Sequence, residues 1–600
     1  MRHRPPLVVL PFLVLTLSLI ACGGDGPTAP APPPEEPGEP GEPTLSLEPC
    51  TLPGLDEEAR CGVYEVWENR AAKAGRKIPL RVVVLPALGP NPAPDPVVYF
   101  AGGPGGGAVD AAPGLSMFLA APRQRRDLLL VDMRGTGESN PLECPYQATG
   151  RTVEDVLESF IPTDGVTPCR EALEAKADLT QYTTPNVVDD LEEIRVALGY
   201  PQVNLMGGSY GTLPVQVYLR RHPEAVRSAV IEGVVPMDSR IPLTFARDAQ
   251  SAFDGLVEEC AGDPDCAAAF PDPAGDLGVV MERLTKDPVR VSVVDPESGE
   301  ARDLEMTLNV LRQTVRYMLY QPTGSLQLPL YLRRAAEGDL EPLAQTAWTV
   351  AGGLLKGLPD GIYLSITCTE GVRFITPEQA AGSADGTFLG DFRLKQQQAA
   401  CERWVYGELP DGFLDPVRSE VPVLAISGER DPVTPAAYGD AVTKHLPNSL
   451  HLVIPDAAHT YFGLLGSNCV DGLVGDFFEA GTTEGLDAEA CIQSIERPPF
   501  LLELPDDTPI ELTDDELRRF TGSYASDEGS FTVEVTFEDG GLRGALPNNI
   551  RDLQAVAPLR FRVHGTPPGT YFDFEADGEQ IVAVTLIQGG TPTFRLQRKP

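Results

Sequence analysis

The sequence is poor in positive charge. Its 600 residues include 47 Lys and Arg against 87 Asp and Glu, a formal net charge of −40 at pH 7. Nucleic-acid binding depends on clustered Lys and Arg that neutralise phosphates, so this composition argues against a nucleic-acid partner. A soluble protein with an acidic surface is the plainer interpretation.

Histidine is also scarce, and the cysteines lack the spacing of metal sites. The chain contains six histidines, and neither a Cys-x-x-Cys pair nor a Cys/His cluster is present. Structural zinc sites need such clusters, so we expect no metal and no cofactor.

The first 22 residues have the pattern of a secretory signal. Two arginines precede an apolar run at 7–20, which leads to a small residue before Cys22. This arrangement is typical of an export signal, although a plain signal peptide and an uncleaved anchor remain alternatives. The stretch at 19–22 resembles the bacterial lipoprotein box, which implies lipidation of Cys22. By resemblance to Gram-negative lipoproteins, Gly23 favours a cell-envelope location at the outer membrane or cell surface.

The other ten cysteines are an even number, which suits disulfides in an oxidising compartment. Spacing alone does not settle their connectivity. Our hypothesis pairs sequence neighbours: Cys50–Cys61, Cys144–Cys169, Cys260–Cys266, Cys368–Cys401 and Cys469–Cys491.

The most informative stretch surrounds Ser209. An apolar run from Val203 leads into Gly207-Gly208-Ser209-Tyr210-Gly211, and a helix-like segment follows at 213–221. A strand that turns sharply into a helix through Gly-x-Ser-x-Gly is the context of a nucleophile elbow. We therefore predict Ser209 as a nucleophile.

Strand-like and helix-like segments alternate around this elbow. Apolar runs occur at 96–100, 127–132, 228–235, 421–427 and 450–454, and an amphipathic helix is predicted over 186–198. This alternation predicts an α/β fold with a mostly parallel sheet, opened by a hairpin of 63–67 and 78–85.

Two regions depart from that alternation. Helical patterns dominate between the strands at 228–235 and 421–427, which predicts a helical cap or an ordinary helical subdomain. The last hundred residues show short β-rich runs, typical of a small antiparallel barrel or sandwich. The expected divisions are a signal peptide (1–22), a Pro/Gly/Glu-rich linker (23–46), a first core part (47–236), the cap (237–419), a second core part (420–503) and the β domain (504–600).

A serine needs a base and an orienting acid to act as a nucleophile. In the α/β-hydrolase order these partners follow the serine as acid and then histidine. Asp431 comes after the strand at 421–427, and His459 comes after the next strand. Glu429 and Asp456 are rival acids, but Asp431 has the better loop position.

The developing oxyanion needs hydrogen-bond donors. The backbone N–H of Tyr210, directly after the serine, is one expected donor. The glycine-rich loop at 102–107 follows the first parallel strand, and Gly103 is the expected source of the second. A plain turn is the alternative interpretation of this loop.

Together these motifs resemble the proline iminopeptidase and tripeptidyl aminopeptidase group of α/β-hydrolases. The motifs are Gly-Gly-Pro-Gly-Gly at 102–106, Asp-Met-Arg-Gly-Thr-Gly at 132–137, the elbow, Gly-Glu-Arg-Asp-Pro-Val-Thr-Pro at 428–435 and the loop of His459. The resemblance covers residues 50–500 and implies an exopeptidase that works through an acyl-enzyme. Ala101 stands where many relatives have histidine. The C-terminal β segment lies outside the usual pattern and resembles lipocalin-like domains appended to other hydrolases.

The resemblance also implies a carboxylate that holds the free α-ammonium of a peptide. Glu370 is our first candidate for this role, and Glu232 is the second.

Three functions are compatible with the sequence. The first is an extracytoplasmic serine aminopeptidase that acts on short peptides, with its membrane contact made through a lipid on Cys22. The second is an ester or lactone hydrolase with the same triad. The third is a non-catalytic surface binding lipoprotein, which would have no need of a complete triad.

Overall fold

The computed structural model describes residues 45–599 apart from 56, 149–151, 296–297, 358, 526–531, 547–548, 567 and 589. The expected signal peptide, Cys22 and nearly all of the expected linker lie outside the described residues. Within the described ranges, no helix has the length and apolar character needed to cross a membrane.

The first described strands match the predicted hairpin and parallel strands. Their bounds are β1 (Glu48–Cys50), β2 (Ala59–Trp67), β3 (Lys77–Leu85), β4 (Val97–Phe100), β5 (Leu128–Val131), β6 (Val203–Gly208) and β7 (Val226–Glu232). The helices between them are α1 (Ala112–Phe118), α2 (Ala120–Arg123), α3 (Pro145–Ala148), α4 (Val153–Glu158), α5 (Thr163–Glu174), α6 (Thr184–Ala197) and α7 (Thr212–Arg221).

A long segment inserted after β7 is mostly helical. Its helices are α8 (Phe245–Gly262), α9 (Pro264–Ala269), α10 (Pro273–Lys286), α11 (Leu308–Met318), α12 (Pro322–Glu337), α13 (Glu341–Gly357), α14 (Asp360–Glu370), α15 (Pro377–Ala380) and α16 (Phe392–Cys401). An antiparallel hairpin, β8 (Val289–Val294) and β9 (Ala301–Met306), interrupts them. This hairpin was not predicted from the sequence. The side-chain amide of Gln345 on α13 stabilises the hairpin. It accepts a hydrogen bond from the backbone N–H of Val294 at 2.8 Å and donates one to the carbonyl of Val294 at 2.9 Å.

The chain then returns to the main sheet. It forms β10 (Val423–Gly428), α17 (Ala436–Thr443), β11 (Ser449–Ile454), α18 (Asn468–Ala480) and α19 (Ala488–Ser494). Within the described residues the sheet has nine strands in the order β1-β2-β3-β5-β4-β6-β7-β10-β11. Neighbours from β5 to β11 pair in parallel, and β1, β2 and β3 pair antiparallel at one edge.

Both faces of this sheet are buried, which explains its continuous apolar strands. Along β6, Leu205 packs in the cluster that includes α6 and α7, while Met206 packs in the cluster that includes α1 and α18. Because all parallel strands share one carboxyl edge, the loops that follow β4, β6, β10 and β11 meet there.

The C-terminal region is a closed antiparallel barrel, which is one of the two forms predicted from the sequence. After α20 (Asp514–Arg518) its described strands are β12 (Gly522–Ala525), β13 (Thr532–Glu538), β14 (Gly541–Leu546), β15 (Asn549–Ala557), β16 (Arg560–Val563), β17 (Tyr571–Asp577), β18 (Gln580–Gln588) and β19 (Thr591–Arg598). Large side chains such as Phe520, Phe561 and Phe574 pack against one another in the barrel core. Filling the interior with side chains is usual for eight strands.

The disulfide hypothesis is confirmed. The described cysteines pair as sequence neighbours, in the five combinations predicted.

Candidate active site

Ser209 lies at a strained turn between β6 and α7. Its φ is +55°, a left-handed backbone conformation that residues with a Cβ rarely adopt and that is typical of functional sites. The neighbouring glycines permit this turn. A Cβ on Gly207 would lie 2.2 Å from the carbonyl oxygen of Gly211, and a Cβ on Gly211 would lie 2.1 Å from that of Phe100.

Asp431 and His459 are brought together from neighbouring loops. Asp431 follows β10, His459 follows β11, and Oδ2 of the carboxylate lies 2.7 Å from Nδ1 of the imidazole. Burial alone would raise the pKa of Asp431, but the charge and hydrogen bond of His459, with bonds from Thr434, outweigh it and hold this pKa below its usual value. Asp431 is therefore anionic near neutral pH and can orient His459.

Thr434 completes this contact and was missed by the sequence analysis. Its hydroxyl donates to Asp431 Oδ2 at 2.7 Å and lies 3.2 Å from His459 Nδ1. Asp431 Oδ1 accepts the backbone N–H groups of Val433 and Thr434, both at 2.8 Å. The spacing Asp-x-x-Thr in a loop, typical of a side chain that caps its own turn, was the available signal.

The glycine-rich loop after β4 lies against the elbow. A Cβ on Gly102 would be 3.3 Å from the Cβ of Ser209, so backbone and serine are in close approach. Gly103 and Tyr210, the two expected oxyanion donors, line one cavity with Ser209 and His459. One cavity therefore holds a serine, a histidine and the two backbone segments of the expected oxyanion donors, which are the groups that acyl transfer requires.

We call this space the Ser209 cavity; its volume is about 290 Å³. Its roof comes from the inserted segment. The roof residues are Ser239, Ile241, Thr244, Phe245, Arg316, Tyr317, Tyr320, Tyr363 and Arg393. Tyr320 packs edge-on against the imidazole of His459, with ring centres 5.2 Å apart. Among the described lining residues of the Ser209 cavity there is no Asp or Glu.

Glu370 does not line the Ser209 cavity. It is buried at the end of α14, where its carboxylate accepts the backbone N–H and the hydroxyl of Thr184 at 2.6 and 2.7 Å. The same hydroxyl lies 2.7 Å from the phenol oxygen of Tyr210. Burial raises the pKa of Glu370 to about 7 against the opposing bonds from Thr184. Through Thr184, Glu370 is therefore bonded to the start of α6 and lies next to the elbow. It lies away from a substrate amine in the Ser209 cavity.

Glu232 lines a different cavity, on the other side of His459. This space, the Glu232 cavity, has a volume of about 220 Å³ and also contacts Tyr99, Tyr461 and Asp471. Glu232 Oε1 is enclosed and has no hydrogen-bond partner. Burial and the charge of Asp471 raise the pKa of Glu232 to about 7, although His459 opposes the shift.

No metal site accompanies these groups within the part of the chain that the structure describes. No cluster of three or more His, Cys, Asp or Glu there has the arrangement to hold an ion.

Comparison with known families supports the fold and the class of chemistry. Residues 95–268 match the α/β hydrolase fold family, and residues 386–491 match the family described as TAP-like protein. With the parallel sheet and the elbow, these matches define the chain as a serine hydrolase of the α/β-hydrolase fold.

Several of the curated relatives are named as peptidases. Serine protease Hip1 of Mycobacterium tuberculosis is 25% identical over 71% of this chain and 86% of its own length. Tripeptidyl aminopeptidase of Streptomyces lividans is 24% identical over 74% of this chain and 86% of its own length. The crystal structure of proline iminopeptidase from Mycobacterium smegmatis is 15% identical, covers 70% of this chain and 98% of its own, and superposes with a TM-score of 0.33.

Proposed function

We propose that this protein is a serine exopeptidase that cleaves short peptides from a free N-terminus through an acyl-enzyme. The observation that carries the proposal is the Ser209 cavity, where Ser209, His459, Gly103 and Tyr210 share one small roofed space. The names of the relatives favour peptide substrates over other acyl compounds.

In the proposed reaction, Ser209 attacks the scissile carbonyl while His459 accepts its proton. Nδ1 of His459 is held by Asp431, so Nε2 is the nitrogen left for the serine and, later, for the leaving amine. The leaving amine takes the proton from His459, and water then hydrolyses the acyl-enzyme through the same base. Asp431 stays ionised and stabilises the imidazolium.

The backbone N–H groups of Gly103 and Tyr210 are the proposed oxyanion donors. Each such donor contributes roughly 3–4 kcal/mol to transition-state stabilisation in well-studied hydrolases. The N-terminus of α7 starts at Thr212, three residues after Ser209, and adds partial positive charge at the same place.

The size of the cavity supports a short acyl fragment. A volume of about 290 Å³ is slightly below the usual range for ligand sites, which starts at about 300 Å³. We propose that residues 237–419 act as the cap predicted from the sequence, because α8, α11, α14 and α16 supply the roof. A long polypeptide could not lie across Ser209 without displacing that roof.

Recognition of the free amine is assigned to Glu232 in preference to Glu370. Glu232 contacts a cavity bordered by His459, whereas both oxygens of Glu370 are bonded to Thr184. An ammonium group that reached Glu232 would find an enclosed oxygen without a partner.

The disulfides are typical of an oxidising compartment outside the cytoplasm. We further propose attachment to the cell envelope through a lipid on Cys22. Replacing Cys22 by Ala should release the protein from the membrane fraction, and an unchanged distribution would contradict the anchor.

The test of the function uses chromogenic anilides of prolyl, alanyl and Ala-Ala-Pro groups, each with a free or acetylated N-terminus. Turnover of the free-amine members alone would establish an aminopeptidase and the length released. Replacing Ser209 by Ala should lower kcat by about 10⁴-fold or more without unfolding the protein.

The other outcomes of this test would favour the alternative functions. Turnover of a short acyl ester with no anilide cleaved would identify an esterase or lactonase. Equal cleavage of free and acetylated peptides would remove the requirement for the amine. Absence of all turnover in a folded protein would leave the binding function.

A further inference from the structure

Two arginines in the roof of the Ser209 cavity have no carboxylate partner. Arg316 on α11 and Arg393 on α16 line this cavity and are buried, and within the described residues neither forms a salt bridge. Burial of a cation is unfavourable unless an anion or hydrogen-bond acceptors replace the lost water. Burying these two side chains next to the proposed nucleophile is therefore unfavourable in free energy.

Other buried arginines in the described part of the chain are paired with acids. The pairs are Arg123–Glu57 at 2.7 Å, Arg126–Asp95 at 3.0 Å and Arg134–Asp190 at 2.6 Å. The chain has 87 acidic residues to draw on. The lack of an acid beside Arg316 and Arg393 is thus a property of the cavity and not of the composition.

Aromatic rings satisfy only part of each guanidinium group. The Arg316 guanidinium carbon lies 4.3 Å from the ring centre of Phe245 and 5.1 Å from that of Tyr320, and Arg393 lies 4.2 Å from that of Phe160. Such contacts stabilise the cation through its flat face. The N–H donors lie in the plane of the group, and there Arg316 Nε and Nη2 and Arg393 Nη1 have no acceptor.

The arginines also lie close to the reacting groups. Tyr320 contacts both Arg316 and His459, with its ring centre 5.1 Å from the guanidinium carbon and 5.2 Å from the centre of the imidazole. The cation and the proposed base therefore share one aromatic neighbour. A substrate whose carbonyl meets Ser209 can place a neighbouring group within reach of this roof.

We propose that Arg316 and Arg393 form an anion subsite that binds a carboxylate of the substrate. A carboxylate offers coplanar oxygens that match the in-plane donors of a guanidinium. This inference rests on the proposed function, because it names the substrate class of the same site. The carboxylate has two sources: an acidic side chain on the acyl side, or the free C-terminus of a short leaving fragment.

The experiment measures kcat/KM of the full-length enzyme on two matched series. The first compares anilides with Glu or Gln as the acyl residue, and the second compares short peptides with a free or amidated C-terminus. We expect the charged member of one series to be cleaved at least about tenfold better, as for a charge-assisted hydrogen bond. The series that shows the preference identifies the source of the carboxylate.

Variants of the two arginines test whether they cause the preference for the charged substrate. Arg316→Met and Arg393→Met should each bring the charged-to-neutral ratio of kcat/KM close to one, and this ratio is the readout because it cancels any change in rate common to both substrates. Arg316→Lys should keep part of the preference, since it retains the charge without the planar fork. Arg312→Met is the matched control, because Arg312 lies one turn earlier on α11 and is not among the residues that line the cavity.

Failure of the inference differs from failure of the proposed function. Equal rates for charged and neutral members, with cleavage intact, would overturn the anion subsite and leave the peptidase standing. An unchanged preference in both methionine variants would do the same. If one variant does not fold, as shown by its melting temperature, the other variant and the wild-type ratios decide. No cleavage of any peptide or ester would overturn the proposed function itself.

Discussion

The two cavities on either side of His459 carry opposite charge. The Ser209 cavity is lined by Arg316, Arg393 and tyrosines, without a described carboxylate. The Glu232 cavity is lined by Glu232 and Asp471, and no Lys or Arg is among its described lining residues. His459 borders both cavities, so it stands between a cationic and an anionic wall.

The two cavities therefore have different proposed roles. The arginines can select an anionic group of the substrate, whereas Glu232 can bind the substrate's ammonium group and also affects the stability of the imidazolium. Sequence proximity does not distinguish these roles: Glu232 and Val235 are three residues apart, yet they line different cavities.

The largest effect is expected from replacing Asp431, the acid that holds His459 between the Ser209 cavity and the Glu232 cavity. Replacing Asp431 by Asn should lower kcat by about 10⁴-fold, because the amide favours the wrong tautomer of His459. Steady-state kinetics and a melting curve would measure this. A loss below tenfold in a folded variant would give the role of the acid to Asp456 or Glu429.

A smaller effect is expected at Thr434, a positioning residue for the Asp431–His459 pair. Thr434→Val removes the hydroxyl that donates to Asp431 and should lower kcat by about 10–100-fold with little change in KM. The matched Thr434→Ser variant retains the hydroxyl and should recover most of the rate. Equal rates in the two variants would contradict a positioning role for the hydroxyl.

The anionic wall can be neutralised at Glu232. The pKa of Glu232 is raised to about 7, so this carboxyl becomes anionic as pH rises through that value and then stabilises the nearby imidazolium. In Glu232→Gln, kcat should fall about two- to tenfold below wild type above pH 8 and approach it below pH 6. A short activated acyl ester, which carries no amine, should show this effect separately from amine binding. A wild-type to variant ratio that stays constant with pH would contradict it.

Glu370 sharpens the comparison, because it is a buried carboxylate that lines neither cavity. Its folded-state pKa is raised from 4.5 to about 7, so the folded protein holds a proton that the unfolded chain releases between these values. The free energy of unfolding should therefore decrease by about 3 kcal/mol from this group as pH rises from 4.5 to 7.

Glu370→Gln should remove most of that decrease with kcat nearly unchanged, as measured by denaturant unfolding at pH 5 and 8. Glu402→Gln, on the exposed end of α16, is the control and should leave the slope unchanged. A large loss of activity in Glu370→Gln would instead return Glu370 to the active site.

Much of the fold could be predicted because its signals are local. The strand, turn and helix around Ser209, the loops of Asp431 and His459, and the hairpin of β2 and β3 each have a contiguous pattern. The β8–β9 hairpin was missed because a short strand pair within helices gives little periodicity, and Gln345 of α13 stabilises it from a distance. The C-terminal region was predicted only as short β-rich runs, and the choice between a barrel and a sandwich depends on the pairing of its first and last strands, β12 and β19, which lie far apart in the sequence.

The sequence by itself determined the α/β-hydrolase fold and the chain order of the proposed nucleophile, acid and histidine, whereas the hypothesised disulfide partners needed the structure to confirm them. The first two features depend on turn chemistry, strand periodicity and loop position, which are determined by residues that are close together in the sequence. Only the tertiary structure decided that Glu370 supports the elbow, that Glu232 lies behind His459, and that Arg316 and Arg393 face Ser209 without acids. Such placements depend on helices that arrive from distant parts of the chain, and burial and pairing exist only once those helices have packed.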